Sequence, residues 1–317
     1  MKRSVSVIVC AFALLFSARA AANTISFSNT IFDTNYVASA LGLRDVGTGD
    51  LTISGISGDV TQAFLYWHGP TDSSDPDANA NVTFNGTNIT GTNIGFSDDN
   101  FWDYENSQAY RADVTALVSG NGTYALSNFQ KLPDVAINGA ALMVFYDDGD
   151  PSNDRDVVLF HGNDGNFESP FDAAGWSLTL PGINYTSGIA NLTLLVSDGQ
   201  NFGTNDDGTL EVNGSALASG GVFQGLAPRT PGAGVSNGSL FDVLQYDITA
   251  FLSPGPNTLS ITLEPGFNDA VSAIVAAIDL PAGAAPPPVV IPEPSTYTLL
   301  GAGLALLALR VRGRNAR

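Results

Sequence analysis

Short apolar runs separated by clusters of turn residues dominate the chain between residues 23 and 291. A run of four to seven residues rich in aromatic and β-branched side chains is typical of a strand. Such runs occur at residues 63–67, 81–84, 140–146, 156–160, 176–180 and 192–196. No segment of this region has the periodicity of an amphipathic helix. The pattern therefore predicts an all-β fold.

The second half of this region repeats the first. Four blocks recur in the same order: residues 63–67 as 192–196, 85–86 as 213–214, 110–118 as 244–252 and 140–145 as 272–277. The offsets are 129, 128, 134 and 132 residues, so they are nearly constant and differ only as loop lengths would. A near-constant offset indicates duplication of one structural unit.

The duplication predicts two tandem antiparallel β-sandwich or jelly-roll domains, at residues 23–154 and 155–282. The Asn85-Gly86 pair predicts a tight hairpin turn, because Asn-Gly readily adopts positive φ. Asp113 and Asp247 occupy equivalent positions in the repeat. We expect each to accept backbone N–H groups at the start of a short helical turn or strand, which is a structural role.

The N-terminus has the features of a cleavable secretory signal at residues 1–22. Lys2 and Arg3 precede an apolar run at residues 5–16, and small residues at 18–22 offer cleavage sites. We therefore expect signal peptidase to process the chain. An uncleaved anchor is the alternative.

The C-terminus has three parts: an Ala/Pro linker at 283–291, a short motif, and an apolar run at 297–309 that ends in arginines. The motif is Pro292-Glu293-Pro294-Ser295-Thr296. The apolar run is short for a transmembrane helix, and the arginines favour the cytoplasmic side. The order of these parts at 292–317 resembles the PEP-CTERM sorting signal. An ordinary C-terminal membrane anchor is the alternative.

The PEP-CTERM resemblance implies that an exosortase recognises the tail while a short transmembrane helix holds it transiently in the inner membrane. It also implies release to the cell surface or extracellular matrix of a bacterium that makes exopolysaccharide and biofilm. On this basis we expect an exported surface protein.

Charge limits the partners of the exported region. Residues 23–291 contain 30 acidic and five basic residues, a net charge near −25, and no cysteine. Nucleic acid is excluded as a partner, because its phosphate backbone requires clustered Lys and Arg. Disulfides are absent, so apolar burial must stabilise the fold. Neutral sugars and divalent cations are more compatible partners for such an acidic region than nucleic acid is.

Three segments carry a further resemblance: residues 65–69 (LYWHG), 110–115 (YRADVT) and 139–146 (GAALMVFY). Together with the hairpin they resemble galactose-binding-like jelly rolls, and more specifically an uncharacterised family of secreted bacterial β-sandwich proteins. This resemblance implies a fold and an extracellular setting, and it implies no catalytic residues.

Candidate metal chemistry is concentrated in an acidic segment that follows a predicted buried strand. Asp147, Asp148, Asp150 and Asp154 offer the oxygen ligands that calcium prefers, although the spacing is not that of an EF-hand. Calcium is therefore the one cofactor that we consider, and solvated loops are the alternative. His68 and His161 each end an apolar run, and we expect strand-end polar residues rather than a metal or catalytic pair.

Candidate sugar-stacking residues are Trp102 and Tyr104, because they lie in a polar segment and are expected to be exposed. Trp176 alternates with leucines and is expected in the core. No nucleophile elbow is present, and no constellation indicates catalysis. The sequence thus favours a non-catalytic surface or matrix protein associated with exopolysaccharide. A carbohydrate- or calcium-binding module is the alternative, and an extracellular hydrolase is a less favoured one.

Overall fold

Strands and turns alternate along the folded region, as the apolar runs predict. The computed structural model describes residues 24–98, 102–131, 133–203, 207–264 and 269–287. Within these ranges it contains seventeen strands and two 3₁₀ turns, at Thr115–Leu117 and Thr249–Phe251. No helix in the described ranges is long and apolar enough to cross a membrane. The predicted all-β class is confirmed.

The strands form three antiparallel sheets. The strands of the large sheet are β1 Ser26–Gly42, β3 Asp59–Thr71, β6 Thr92–Ser97, β7 Asn106–Asp113, β9 Gly139–Asp147, β10 Arg155–Gly165, β12 Asn191–Ser197, β15 Phe241–Asp247 and β17 Ser272–Pro281. Their order in the sheet is β15-β12-β17-β10-β1-β9-β3-β7-β6.

Two smaller sheets have four strands each. The strands of the first are β2 Gly49–Ile53, β4 Asn81–Phe84, β5 Thr87–Thr90 and β8 Gly122–Ser127, in the order β2-β8-β4-β5. The strands of the second are β11 Trp176–Tyr185, β13 Thr209–Val212, β14 Ser215–Ser219 and β16 Gly255–Leu263, in the order β11-β16-β13-β14.

Strand β1 joins the two halves of the large sheet. Its first part pairs with β10 and its second part, from Asn35 onward, pairs with β9. The change of partner follows a bulge between Ile31 and Thr34, where Asp33 has a φ of 49°. The hydroxyl of Thr34 donates to the carbonyl of Tyr146 across the change of partner. One continuous sheet therefore spans the two sequence repeats.

Three buried clusters hold the sheets together. One lies between the first small sheet and β3, β7 and β9, and a second lies between the other small sheet and β10, β12 and β17. The third lies on the opposite face of the large sheet and takes residues from both of its halves, including Phe64, Phe145 and Phe241. Both faces of the central strands are thus buried, which explains their uninterrupted apolar sequences.

The structure repeats local contacts in the two halves. The carboxylates of Asp113 and Asp247 each accept the N–H of a threonine two residues later, at 2.9 and 2.8 Å. The hydroxyls of those threonines, Thr115 and Thr249, accept the N–H groups of Ala63 and Ala190, both at 2.9 Å. The predicted structural role of the two aspartates is confirmed.

The compact unit that contains these sheets ends at Ala285, and of the following unit, residues 286–317, the structure describes only 286 and 287. The predicted signal peptide, the sorting motif at Pro292–Thr296 and the apolar run at 297–309 lie outside the described residues. The division of the folded region at residue 154 stays a prediction.

Candidate functional site

A cleft of about 490 Å³ opens between two loops of the second half. One loop follows β12 and the other connects β14 to β15. The side chains that give the cleft its polar character are Asn201, Gln224, Arg229, Ser236 and Asn237. Amide side chains can both donate hydrogen bonds to hydroxyl groups and accept them, whereas a guanidinium only donates.

The backbones of the two loops that line the cleft contact each other directly. The N–H of Asn201 donates to the carbonyl of Asn237 at 2.7 Å. Gly225 has a φ of 63°, and a Cβ atom there would lie 2.4 Å from the carbonyl oxygen of Gly199. Only glycine allows the two backbones to approach this closely.

The amide side chains of the cleft also position one another. Asn201 Nδ2 donates to Gln224 Oε1 at 3.1 Å, and Gln200 Nε2 donates to Asn237 Oδ1 at 2.9 Å. Arg229 Nη1 donates to the carbonyl of Val235 at 2.5 Å. These bonds fix the direction of the amide groups before any ligand arrives, which lowers the entropic cost of binding.

Buried carboxyl groups accept hydrogen bonds from backbone N–H groups of the same loops. Asp242 accepts the N–H groups of Gly225 and Leu226, both at 2.8 Å, and Asp207 accepts that of Phe223 at 2.7 Å. Burial raises the pKa of Asp242 and of Asp207 to about 6. The carboxyl group of Asp269 accepts the N–H of Gln200, and burial raises its pKa to about 9.

Two large apolar side chains flank the cleft in sequence. Phe202 follows Asn201 and is 48% exposed, and Leu226 follows Gly225 and is 67% exposed. Exposed apolar side chains beside oriented polar groups are common features of ligand sites.

The predicted stacking residues lie elsewhere. Trp102 and Tyr104 are half-buried, so the expectation that both are exposed is wrong. The guanidinium of Arg44 lies over the Trp102 ring, 4.2 Å from its centroid. One face of this indole is therefore occupied. Trp176 is buried in the core, as predicted.

The acidic segment follows β9 as predicted, and local hydrogen bonds occupy much of it. Asp147 and Asp148 each accept the N–H of the residue two positions later. Asp150 accepts from both the N–H and the hydroxyl of Ser152. Asp154 differs, because its Oδ1 is buried without a hydrogen-bond partner. In the described ranges no three His, Cys, Asp or Glu side chains are grouped as metal ligands.

The two histidines lie at different places on the large sheet. His68, in β3, is fully buried, and burial lowers its pKa to about 3. His161, in β10, is half-buried and its ring lies 6.3 Å from that of Tyr66. Burial lowers the pKa of His161 to about 4, so both imidazoles are neutral at pH 7.

Fold and cleft together define an all-β protein with sandwich-like packing and a polar loop cleft. The sequence matches the family described as "Protein of unknown function (DUF3344)" over residues 25–278, so the chain belongs to that family. It also matches the PEP-CTERM protein-sorting motif over residues 290–314, and it is therefore an exported protein that carries this sorting signal and is processed by an exosortase.

Solved structures give only distant similarities. PNGase F, a glycosylasparaginase from Flavobacterium meningosepticum, is 12% identical with a TM-score of 0.29, over 82% of this chain and 97% of that one. BuGH86 in complex with neoagarooctaose is 14% identical with a TM-score of 0.20, over 81% and 34%. No curated protein matches the sequence.

Sequence reasoning missed the loop cleft. Its residues lie in Gly- and Asn-rich segments at 199–203 and 220–240 that carry no periodicity. The one sequence feature that could have indicated this site is an amide residue directly followed by a large apolar residue in a loop, as in Asn201-Phe202. Such a pair indicates a site only once the fold shows that the two loops lie next to each other.

Proposed function

We propose that this exported protein is a non-catalytic surface or extracellular-matrix protein that binds a neutral glycan in its loop cleft. The observation that carries the proposal is the set of pre-oriented amides, with one guanidinium, that line the cleft between Asn201 and Asn237. Sugar hydroxyls both donate and accept, and amide groups do the same.

The apolar neighbours of the cleft support a sugar ring as the ligand. The faces of pyranose rings are apolar, and Phe202, next to Asn201 in sequence, offers an exposed aromatic surface. Leu226, next to Gly225 in sequence, offers a second exposed apolar surface. Ligand sites combine such surfaces with a few placed polar groups.

Charge supports a neutral ligand. The whole chain has a formal net charge of −19, which disfavours association with a polyanionic chain. The described lining of the cleft has neither a carboxyl group nor an imidazole that could serve as a general acid or base. Binding without turnover is therefore our proposal for this cleft, and an extracellular hydrolase is the less favoured alternative.

The repeated contacts support a finer proposal for the fold. The matched Asp–Thr–Ala hydrogen bonds and the two Asn-Gly hairpins are those expected of two duplicated β-sandwich or jelly-roll units. In this proposal the mature protein leaves the inner membrane after exosortase processing and associates with exopolysaccharide or biofilm matrix.

Calcium is a secondary proposal, at the loop after β9. Burial raises the pKa of Asp154, and Asp147, Asp33, Asp148 and Asp150 raise it further in that order. A divalent cation would relieve this repulsion. Calcium should then raise the midpoint of thermal unfolding, and Asp154→Asn should abolish that effect. No stabilisation by millimolar calcium would remove this proposal.

A glycan array is the first test of the cleft. The purified protein should bind neutral polysaccharides in preference to sulfated ones, and Phe202→Ala should weaken that binding. Phe27→Ala is the matched control, because Phe27 is also an exposed phenylalanine but lies at the start of β1. Equal loss of binding in both variants would argue against the cleft.

A further inference from the structure

A second pocket, of about 410 Å³, lies where β10 approaches β6 and β7. It brings residues of both sequence repeats together, since His161 belongs to the second half and the other lining residues to the first. Its polar side chains include Thr92, Asn93, Arg111, Asp113 and His161. This site is separate from the loop cleft, and its test does not depend on the proposed function.

Two buried polar atoms on lining side chains have no hydrogen-bond partner: Arg111 Nε and His161 Nδ1. Tyr66 does not line the pocket; it is fully buried, and its ring contacts that of His161. Burial raises the pKa of Tyr66 to about 12, and the charge of Arg111 and a side-chain hydrogen bond with Arg111 oppose that shift. Buried polar groups in folded proteins are rarely left unsatisfied. Two such atoms on the lining of one pocket indicate that a ligand supplies the missing partners.

Arg111 differs from the other basic side chains in the described ranges. Arg155 pairs with Asp279, Arg44 donates to Asn138, and Arg229 donates to backbone carbonyls. Lys131 donates to the carbonyl of Asn128. The guanidinium of Arg111 instead lies over the ring of Phe64, 3.8 Å from its centroid, and forms no ion pair within the described residues.

Stacking on Phe64 fixes the plane of the guanidinium and leaves its edge for a ligand. A planar guanidinium binds a carboxylate through two parallel hydrogen bonds, which is its strongest pairing with a small anion. Asp113 also lines the pocket, but its Oδ1 already accepts the N–H and hydroxyl of Thr115. Its negative charge disfavours a ligand that carries more than one negative group.

We propose that this pocket binds one carboxylate group, held by Arg111, on a hydroxylated molecule about the size of a monosaccharide. Thr92 and Asn93 provide hydroxyl and amide groups for the rest of the ligand. His161 is neutral at pH 7 and offers a nitrogen for a hydroxyl group. A free sugar acid and a uronic acid residue within a glycan share this chemistry.

Isothermal titration with sodium glucuronate tests the proposal, with glucose as the neutral control and a β-linked oligoglucuronate as the second source of the carboxylate. We expect glucuronate or its oligomer to bind and glucose not to bind here. Binding of the monomer alone identifies a small sugar acid, and binding of the oligomer identifies a glycan.

Variants assign the binding to this pocket. Arg111→Gln should weaken it about tenfold or more, because a charged hydrogen-bonding partner is lost. Thr92→Val keeps the shape of the side chain and should weaken binding without lowering the thermal midpoint, since Thr92 lines the pocket and is exposed. Lys131→Gln, which removes a cation that lines neither pocket, is the matched control and should bind glucuronate normally.

Three results would overturn the proposal: no binding of either glucuronate probe, equal binding of glucose and glucuronate in an Asn237→Ala background that lacks an amide of the loop cleft, or unchanged glucuronate affinity in both Arg111→Gln and Thr92→Val. If Arg111→Gln fails to fold, the Thr92→Val result decides alone, because Thr92 is exposed and valine keeps its shape.

Discussion

The indole nitrogen of Trp102 lies 2.9 Å from Oδ1 and 3.0 Å from Oδ2 of Asp198, and this hydrogen bond joins the two sequence halves. Asn138 Nδ2 donates to the same Oδ1 at 3.1 Å, and Arg44 Nη1 donates to Asn138 Oδ1 at 2.6 Å. Since Arg44 also covers the indole ring, the four side chains form a closed set of contacts. Asp198 directly precedes the loop that forms the cleft.

Trp102→Phe removes the indole donor and keeps an aromatic ring. We expect the free energy of unfolding to fall by about 1–3 kcal/mol, because the buried carboxylate of Asp198 loses a donor. Urea denaturation measures this change. Tyr104→Phe is the control and should have a smaller effect. Equal stability of Trp102→Phe and the wild type would show that the bond does not stabilise the fold.

The matched threonines test whether the two halves are equivalent. Thr115→Val and Thr249→Val each remove the acceptor of a backbone N–H, from Ala63 and Ala190. We expect each to lower the free energy of unfolding by about 1 kcal/mol. Thr87→Val, on the exposed strand β5, is the control. Loss of stability in only one half would argue that the repeated contact has lost its role in the other.

Stability should fall as pH rises to 9, most clearly above about pH 6.5. Below that pH the buried, neutral His68 and His161 act in the opposite direction, because the unfolded chain protonates its histidines. Burial raises the pKa of Asp164 from 3.8 to about 8, that of Asp269 to about 9, and those of Asp207 and Asp242 to about 6. The folded protein therefore holds protons that the unfolded chain has released. Their contribution to stability is present below the unfolded pKa and is lost as pH rises through each folded pKa.

Thermal melts from pH 5 to pH 9 measure this dependence. Asp164→Asn should flatten the curve, because an amide cannot ionise and Oδ1 of Asp164 has no partner to lose. Asp50→Asn, at an exposed position, should leave the curve as in the wild type. A thermal midpoint that rises steadily from pH 5 to pH 9 would contradict the assignment of buried protonated carboxyls.

The sorting signal predicts a shortened mature chain. Mass spectrometry of the protein from normal cells should show no peptide that contains Arg317, whereas cells without the exosortase should retain that end. We expect this because exosortase processing at the sorting motif, which matches over residues 290–314, would separate the chain from its C-terminal end. An intact C-terminus in normal cells would contradict processing.

The predictability of the strands depended on burial. The runs around Phe64, Met143 and Leu194 have both faces buried, so their apolar sequences were recognisable. The pattern did not predict β1, because most of its residues are half-buried rather than alternately buried and exposed, and because it changes partner near Asp33. The local sequence of a strand does not show which distant strands it will pair with.

The sites were less predictable than the strands. Trp102 lies in a polar segment, and nothing nearby in sequence indicates that Arg44 covers its ring. Arg111 lies within the repeated block 110–118, but its lack of a carboxylate partner arises only from the packing of Phe64 and His161 around it. In both sites the surroundings of the side chain are set by residues that are distant in sequence, so the sequence alone does not reveal them.

The most direct test of the proposed function is calorimetric titration of the protein with neutral polysaccharide purified from the bacterium that makes it. We predict saturable heat that is strongly reduced in Gln224→Ala and Asn237→Ala, because both variants remove amides of the cleft. Asn88→Ala, an exposed amide on β5, should bind as the wild type does. Absence of heat in the wild type, or unchanged binding in both cleft variants, would contradict glycan binding at this site.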